Sequence, residues 1–342
     1  MKAIMKLKPE PGLTLKEVPI PEIKSNEVLV KIKATAICGT DLHIYHWDAF
    51  AQKTIHLPLI IGHEFMGEIA SVGAEISHLK VGDRVSGEGH ITCGFCRNCR
   101  EGKQYLCPNT EGIGSQRNGA FAEYLALPAS NIIPLPKFIS DEVAAILDPL
   151  GNAVHTTLIF DIIGENILIT GAGPIGLLSV TIAKHIGAKQ IVITDINPFR
   201  LELAKQFGAN KTINMNIETN PLKILLEDEA YSDGFPVGLE MSGAPSAIHL
   251  QLEALMHGAS LALLGIPKQD VLMDCHKIIF KGLTVKGIYG RKMYETWDKS
   301  LSLLQSGLDI SAVITHHFQA EDFEQAFKTI EEGNTGKVIL HW

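Results

Sequence analysis

Cys38, Thr40 and His43 fall within one short stretch, Ile37-Cys38-Gly39-Thr40-Asp41-Leu42-His43, and Gly62-His63-Glu64 follows twenty residues on. Cysteine and histidine are the side chains zinc prefers, and a catalytic zinc keeps one position open for water or substrate. A hydroxyl and an imidazole beside such an ion can pass a proton from a bound alcohol to solvent. An imidazole with an ordinary pKa of about 6.5 suits the last step. The expected chemistry is alcohol activation at a metal, with Thr40 and His43 as the relay. Each residue alone also has a plain structural explanation, since free cysteine commonly packs as a small hydrophobe. Two further motifs give the pattern its meaning.

The first is a loop carrying Cys93, Cys96, Cys99 and, eight residues later, Cys107. Gaps of two residues let neighbouring sulfurs converge on one ion, and four thiolates fill a tetrahedral zinc shell with no open position. Disulfides are disfavoured by the reducing compartment expected for this chain. The loop therefore reads as a structural zinc lobe, which contributes folding energy and not chemistry.

The second is Gly171-Ala172-Gly173-Pro174-Ile175-Gly176. A continuous apolar strand, Asn166 to Thr170, precedes it, and a helical pattern follows to about His185. The next strand, Gln190 to Thr194, ends at Asp195, 19 residues after Gly176. Glycines let the backbone approach a pyrophosphate at a helix N-terminus, and the acid binds the adenosine ribose. Strand, turn, helix, strand and acid all occur in order, so the motif reads as a dinucleotide site. A carboxylate at Asp195 repels a 2′-phosphate, which favours NAD over NADP. Arg200 complicates that choice, because an arginine can accept the same phosphate.

The elements that must position these residues differ along the chain. Residues 1–145 hold short strand patterns, among them Val28 to Lys33, Gly67 to Val72 and Ala120 to Leu125, with a tight-turn Gly82-Asp83 between apolar neighbours. Such spacing predicts an irregular β-barrel interrupted by the lobe at about 93–107. Residues 146–294 alternate strand and helix, as a doubly wound parallel sheet requires. Residues 295–342 carry two helical patterns and a final strand, and are expected to pack back on the first domain. The fold class is thus α/β plus β.

Length and composition bound the reading further. A chain of 342 residues with 46% hydrophobic content suggests two domains with ample cores. A formal charge of −8 argues against nucleic acid or an anionic membrane surface as partner. The N-terminus lacks the apolar core of a signal peptide, and no apolar run reaches the ~18 residues of a membrane span. A cytoplasmic protein acting on a small molecule is expected.

Together, the Cys38–His43 stretch, Gly62-His63-Glu64, the four-cysteine lobe and the Gly171–Gly176 turn resemble the zinc-dependent medium-chain dehydrogenase/reductase superfamily. Ile44 to Asp48, Ser86 to Cys93, Asp148 to His155 and Gly287 to Arg291 resemble its threonine-oxidising branch. That resemblance implies a GroES-like catalytic domain, a Rossmann domain, NAD, one catalytic and one structural zinc per chain, and a homotetramer. It implies oxidation of L-threonine at its 3-hydroxyl to 2-amino-3-oxobutanoate. By the same resemblance Cys38, His63 and Glu64 are catalytic-zinc residues, Thr40 and His43 the relay, and Asp148 an acid beside it. Gly171, Gly173, Ile175, Gly176, Asp195, Arg200, Leu264, Gly265, Ile266, Ile288 and Tyr289 become cofactor contacts.

Two points stay open at this stage. Alcohol dehydrogenases of the superfamily use a second cysteine at the catalytic metal, but no cysteine lies between Cys107 and Cys275. The third ligand is then an oxygen or a histidine, with Glu64 and Asp148 ahead of His90 and His155. The substrate is also open, because the zinc motif specifies only an alcohol. A polyol or 2,3-butanediol dehydrogenase is the alternative, followed by a non-catalytic protein of the same fold. Polyol enzymes typically carry Glu-Pro-Leu where this chain has Asp148-Pro149-Leu150.

Overall fold

Alternation of apolar and polar residues makes Glu27–Ala36 the longest strand of the chain, and it buries Val28, Val30, Ile32 and Ala34 on one side. In the computed structural model, which describes residues 1–342, this strand is the organising element of the first of two units. It pairs antiparallel with Glu64–Val72, Tyr124–Pro128 and Lys337–His341. The sheet continues outward through Arg84–Gly87 and Ile132–Pro134 on one side and Ile314–Gln319 on the other. A smaller sheet joins Thr14–Glu17, Lys2–Lys6 and Leu59–Ile60. Ile4, Ile37, Ile44, Ile61, Phe121 and Phe327 form a core beneath it.

This unit comprises Met1–Pro149, Met293–Gln305 and Ile314–Trp342. Its strand near Phe121 starts later than the sequence pattern places it. Ala122 makes only an isolated bridge to Ala3, and regular pairing begins at Tyr124.

The second unit comprises Leu150–Lys292 and Ser306–Val313. Its six strands are all parallel and run Lys211–Asn214, Gln190–Asp195, Asn166–Thr170, Phe235–Glu240, Leu255–Leu263, Thr284–Gly287 across the sheet. Counted along the chain, that is the order 3-2-1-4-5-6 of a doubly wound dinucleotide-binding sheet. The inner strands are apolar throughout because helices cover both faces: Ile167, Leu168, Ile169, Ile191, Val192 and Ile193 are all fully buried.

Candidate metal centre and dinucleotide site

Cys38 lies two residues beyond the long organising strand and is the N-cap of the helix Gly39–His46. The carboxylate of Asp41 folds back to accept the Cys38 amide at 2.9 Å, which fixes the cysteine at the mouth of the helix. His63 follows Gly62, whose φ is +87°. A side chain at Gly62 would meet the Phe121 ring at 2.0 Å, so only glycine lets the chain turn there and aim His63 inward. Glu64 is the first residue of the next strand and pairs with Ala36 across the sheet.

These elements bring Cys38 Sγ, a His63 ring nitrogen and a Glu64 carboxylate oxygen within 4.8 Å of one another. Glu64 Oε1 is buried with no hydrogen-bond partner, while Oε2 lies 2.5 Å from Lys337 Nζ. The Lys337 ammonium thus offsets a buried carboxylate that also lies beside the cysteine and histidine. Burial opposes a charged His63 ring, yet the Cys38 thiolate, with Asp41 and Asp148, pushes it up to about 10. A thiolate, an imidazole and a carboxylate in so anionic a pocket fit a zinc ion with an open position.

His90 and His155 stand outside this group. His90 Nδ1 lies 3.2 Å from Glu88 Oε1, and His155 Nδ1 lies 2.7 Å from the Gly290 carbonyl oxygen. Asp148 is buried, and its charge acts on both His63 and Glu64, but it is not among the three converging donors. Thr40 Oγ1 is 3.9 Å from Cys38 Sγ. His43 Nδ1 is held at 2.5 Å by Asp48, whose other oxygen caps the helix Ala49–Thr54. That contact commits Nδ1 and leaves Nε2 for proton exchange.

The four remaining ligand-type cysteines converge separately. Cys93 and Cys107 sulfurs are 3.6 Å apart, and Cys96 and Cys107 sulfurs are 3.9 Å apart. A tetrahedral zinc with Zn–S bonds of about 2.3 Å has sulfur–sulfur edges of about 3.8 Å. Burial opposes a Cys93 thiolate, yet the amides of Phe95 and Cys96 hold it down at about 6. Burial and neighbouring thiols push Cys99 up to about 11. So close a set of sulfurs can be thiolate together only around a cation, and the donor set fits structural zinc.

In the second unit, Gly171 has φ of +97°, and a side chain there would meet Ser242 at 2.9 Å. Gly176 has the Gly171 carbonyl oxygen 2.0 Å from where a Cβ would sit. Gly173 differs: nothing lies within 4 Å of its missing side chain, at the N-cap of the helix Pro174–Ile186. The turn is tight on the protein side and open on the other, as a pyrophosphate cradle must be. Asp195 ends its strand with Oδ2 accepting the Ala172 amide at 2.6 Å and Oδ1 accepting the Asn197 amide at 2.8 Å. Leu264 to Ile266 and Ile288 with Tyr289 follow the carboxyl ends of their strands, at the same edge of the sheet. Gly173→Ala is expected to raise the KM for the dinucleotide about tenfold with the thermal midpoint unchanged, whereas Gly176→Ala lowers the midpoint. Steady-state kinetics and a melting curve on both variants check this contrast.

The alcohol dehydrogenase GroES-like domain family matches residues 24–137, and the zinc-binding dehydrogenase family matches residues 174–306. An L-threonine 3-dehydrogenase from Chromobacterium violaceum is 56% identical over 342 residues, with all of both chains covered. The chain belongs to the zinc-dependent medium-chain dehydrogenase/reductase superfamily. Among solved structures, the galactitol-1-phosphate dehydrogenase from Escherichia coli superposes with a TM-score of 0.90 at 32% identity over 100% of both chains. An alcohol dehydrogenase from Escherichia coli CFT073, solved with NADH, gives 0.91 at 29% identity over 100% of this chain and 99% of that one. As a member of this superfamily the protein is an oxidoreductase that uses zinc and a nicotinamide dinucleotide on a small molecule. No helix is long and apolar enough to cross a membrane.

Several residues that serve this dehydrogenase site are not singled out by the sequence reading. Asp41 bonds the cap residue three positions back, and Asp48 is itself a cap that bonds the amides two and three positions on, so capping rules could have found them. Glu240 is a buried acid whose carboxylate accepts the Ser242 and Gly243 amides and shapes the turn against Gly171. Lys337 left no local mark at all.

Proposed function

We propose that the protein oxidises L-threonine at its 3-hydroxyl with NAD, giving 2-amino-3-oxobutanoate, NADH and a proton, as a step of threonine breakdown. The observation that carries this reading is the full-length 56% identity to an L-threonine 3-dehydrogenase, with the whole donor set Cys38, His63 and Glu64 converging in one pocket. Zinc held there would supply Lewis acidity to the substrate hydroxyl, and a bound nicotinamide would supply the hydride acceptor. Cys38, His63 and Glu64 hold the metal, with Glu64 as third ligand rather than Asp148. Thr40 takes the hydroxyl proton and passes it to His43. Asp48 keeps the His43 ring in the tautomer that accepts it and gives it to solvent. Asp148 adds negative charge beside the relay and draws the substrate ammonium.

The cofactor set is Gly171, Gly173, Ile175, Gly176, Asp195, Arg200, Leu264, Gly265, Ile266, Ile288 and Tyr289. Asp195 supports NAD over NADP, since a carboxylate at the end of the second strand of such a sheet disfavours a 2′-phosphate. The domain reading is a GroES-like catalytic domain at 1–145, a Rossmann domain at 146–294 and a return segment at 295–342. Six free thiols, four of them in the lobe, suit a cytoplasmic setting. A homotetramer is supported by the large apolar side chains left exposed in the segment that precedes the edge strand Thr284–Gly287, where Leu272 is 89% and Phe280 77% exposed. Light scattering that returned a monomer would overturn that assembly.

The deciding experiment is the rate of NADH formation at equal concentrations of L-threonine, L-allo-threonine, 2,3-butanediol and sorbitol. A zwitterion brings two charges that must find partners, so a site built for them rejects neutral diols by a large factor. L-threonine is expected to be oxidised more than about a hundredfold faster than butanediol, with NADP a poor substitute for NAD. A butanediol rate equal to or above that of threonine would replace this reading with the polyol one. That second reading has some footing, because the galactitol-1-phosphate enzyme shares the fold at 32% identity.

A further inference from the structure

A third cluster of metal-ligating side chains lies in the first unit, away from the functions assigned above. His317 sits in the edge strand Ile314–Gln319, and His341 in the adjoining parallel strand Lys337–His341. Gln319 pairs with His341, so His317, two residues earlier, projects on the same face of the sheet. Glu142 comes from the first turn of the helix Asp141–Ala145. One donor atom from each lies within 4.8 Å of the others. His317 Nδ1 and His341 Nε2 are 3.3 Å apart, with the two rings 16° from parallel. Two nitrogens bound to one tetrahedral zinc at about 2.05 Å stand about 3.3 Å apart, so the pair already has the span of a ligand edge.

The backbone around this pair is anchored. His341 pairs with Ala34 of the long organising strand on its other side. The Trp342 indole N–H donates to Thr35 Oγ1 at 2.9 Å, and the Trp342 amide donates to the Lys33 carbonyl at 3.1 Å. The adjacent His316 turns elsewhere, its Nδ1 lying 2.9 Å from Thr315 Oγ1. Two imidazoles and a carboxylate, partly open to solvent, form a donor set for a first-row divalent ion that keeps water on its remaining positions. The net charge of −8 favours cation capture.

We propose that Glu142, His317 and His341 form a third metal site that takes zinc, nickel or a similar divalent transition ion. The site clamps the last strand to the helix at Asp141–Ala145. That strand begins at Lys337, which touches Glu64, so a peripheral ion steadies the element that reaches the catalytic pocket.

The test uses the purified protein brought to two zinc ions per chain, so that the third site starts empty, dialysed against nickel chloride and then against metal-free buffer, with nickel and zinc counted by mass spectrometry. The expected result is one nickel per chain with zinc content unchanged, and a higher thermal midpoint in nickel. His317→Ala and His341→Ala should each lose the nickel, and Glu142→Gln should weaken it. Losing an outer partner of a metal ligand already costs roughly 10–100-fold in affinity, and losing a ligand should exceed that. Turnover without nickel should be the same in His317→Ala, whose exposed side chain lies outside the relay. Absence of nickel, nickel retained in both histidine variants, or nickel gained only as zinc is lost would each overturn the proposal.

Discussion

Cys38→Ser is expected to cut turnover by roughly a thousandfold or more and leave the thermal midpoint nearly unchanged. Removing an outer-shell partner of a metal ligand alone costs roughly 10–100-fold. Cys38 is the only thiolate donor of the catalytic group, so its loss removes a ligand and the negative charge that balances His63. Zinc content should fall by one per chain. Cys96→Ser should also release one zinc, but with the opposite profile. Its sulfur lies 3.9 Å from Cys107 and accepts the Cys99 amide at 3.5 Å, so the change opens the lobe and not the alcohol site. Metal binding to such small lobes is itself folding free energy. Limited proteolysis should cut the Cys96 variant within 93–107 while the Cys38 variant resists. Equal resistance of the two, with activity lost only in Cys96→Ser, would exchange the structural and catalytic assignments.

Lys337→Met is expected to destabilise the first unit by about 3–5 kcal/mol, the usual result of stripping the partner from a buried charge. Lys337 and Glu64 are both almost fully buried, and Lys337 also donates to the Ile37 carbonyl at 2.8 Å. Burial works against the ammonium, but Glu64 first, then Cys38 and Asp41, raise its pKa and hold it charged. Without it, Glu64 carries an uncompensated charge or takes up a proton, and either outcome weakens its hold on the metal. Lys337→Arg should recover part of the stability. Glu64→Gln combined with Lys337→Met should cost less than the sum of the two single changes, because the pair is coupled. Urea unfolding of the four proteins measures this, and strict additivity would show that the two groups do not act as a pair.

The candidate donors and the candidate dinucleotide turn were legible wherever they depend on local spacing. Two-residue gaps between cysteines, glycines at fixed intervals after an apolar strand, and an acid at the next strand's end are short-range requirements, so the chain states them directly. The parallel sheet was legible for the same reason, since strands buried on both faces must be apolar throughout. Strand ends were less so: Ala120 to Leu125 reads as one strand, but Ala122 makes only an isolated bridge and regular pairing begins at Tyr124.

What the sequence alone could not decide is which distant groups meet. Glu64 and Asp148 are equal candidates for the metal on paper, because each is an acid near an apolar segment. The tertiary structure separates them by bringing Glu64 to Cys38 and His63 through pairing of its strand with the one that ends at Ala36, two residues before Cys38. Lys337 is invisible from its neighbours, a lysine opening an apolar strand 273 positions after Glu64. Only the antiparallel pairing of Lys337–His341 with Glu27–Ala36 brings its ammonium to the Glu64 carboxylate. Local rules fix which donors a chain possesses, because capping, turns and periodicity act over a few residues. Sheet register fixes which of them share a site, because strand pairing joins residues hundreds of positions apart.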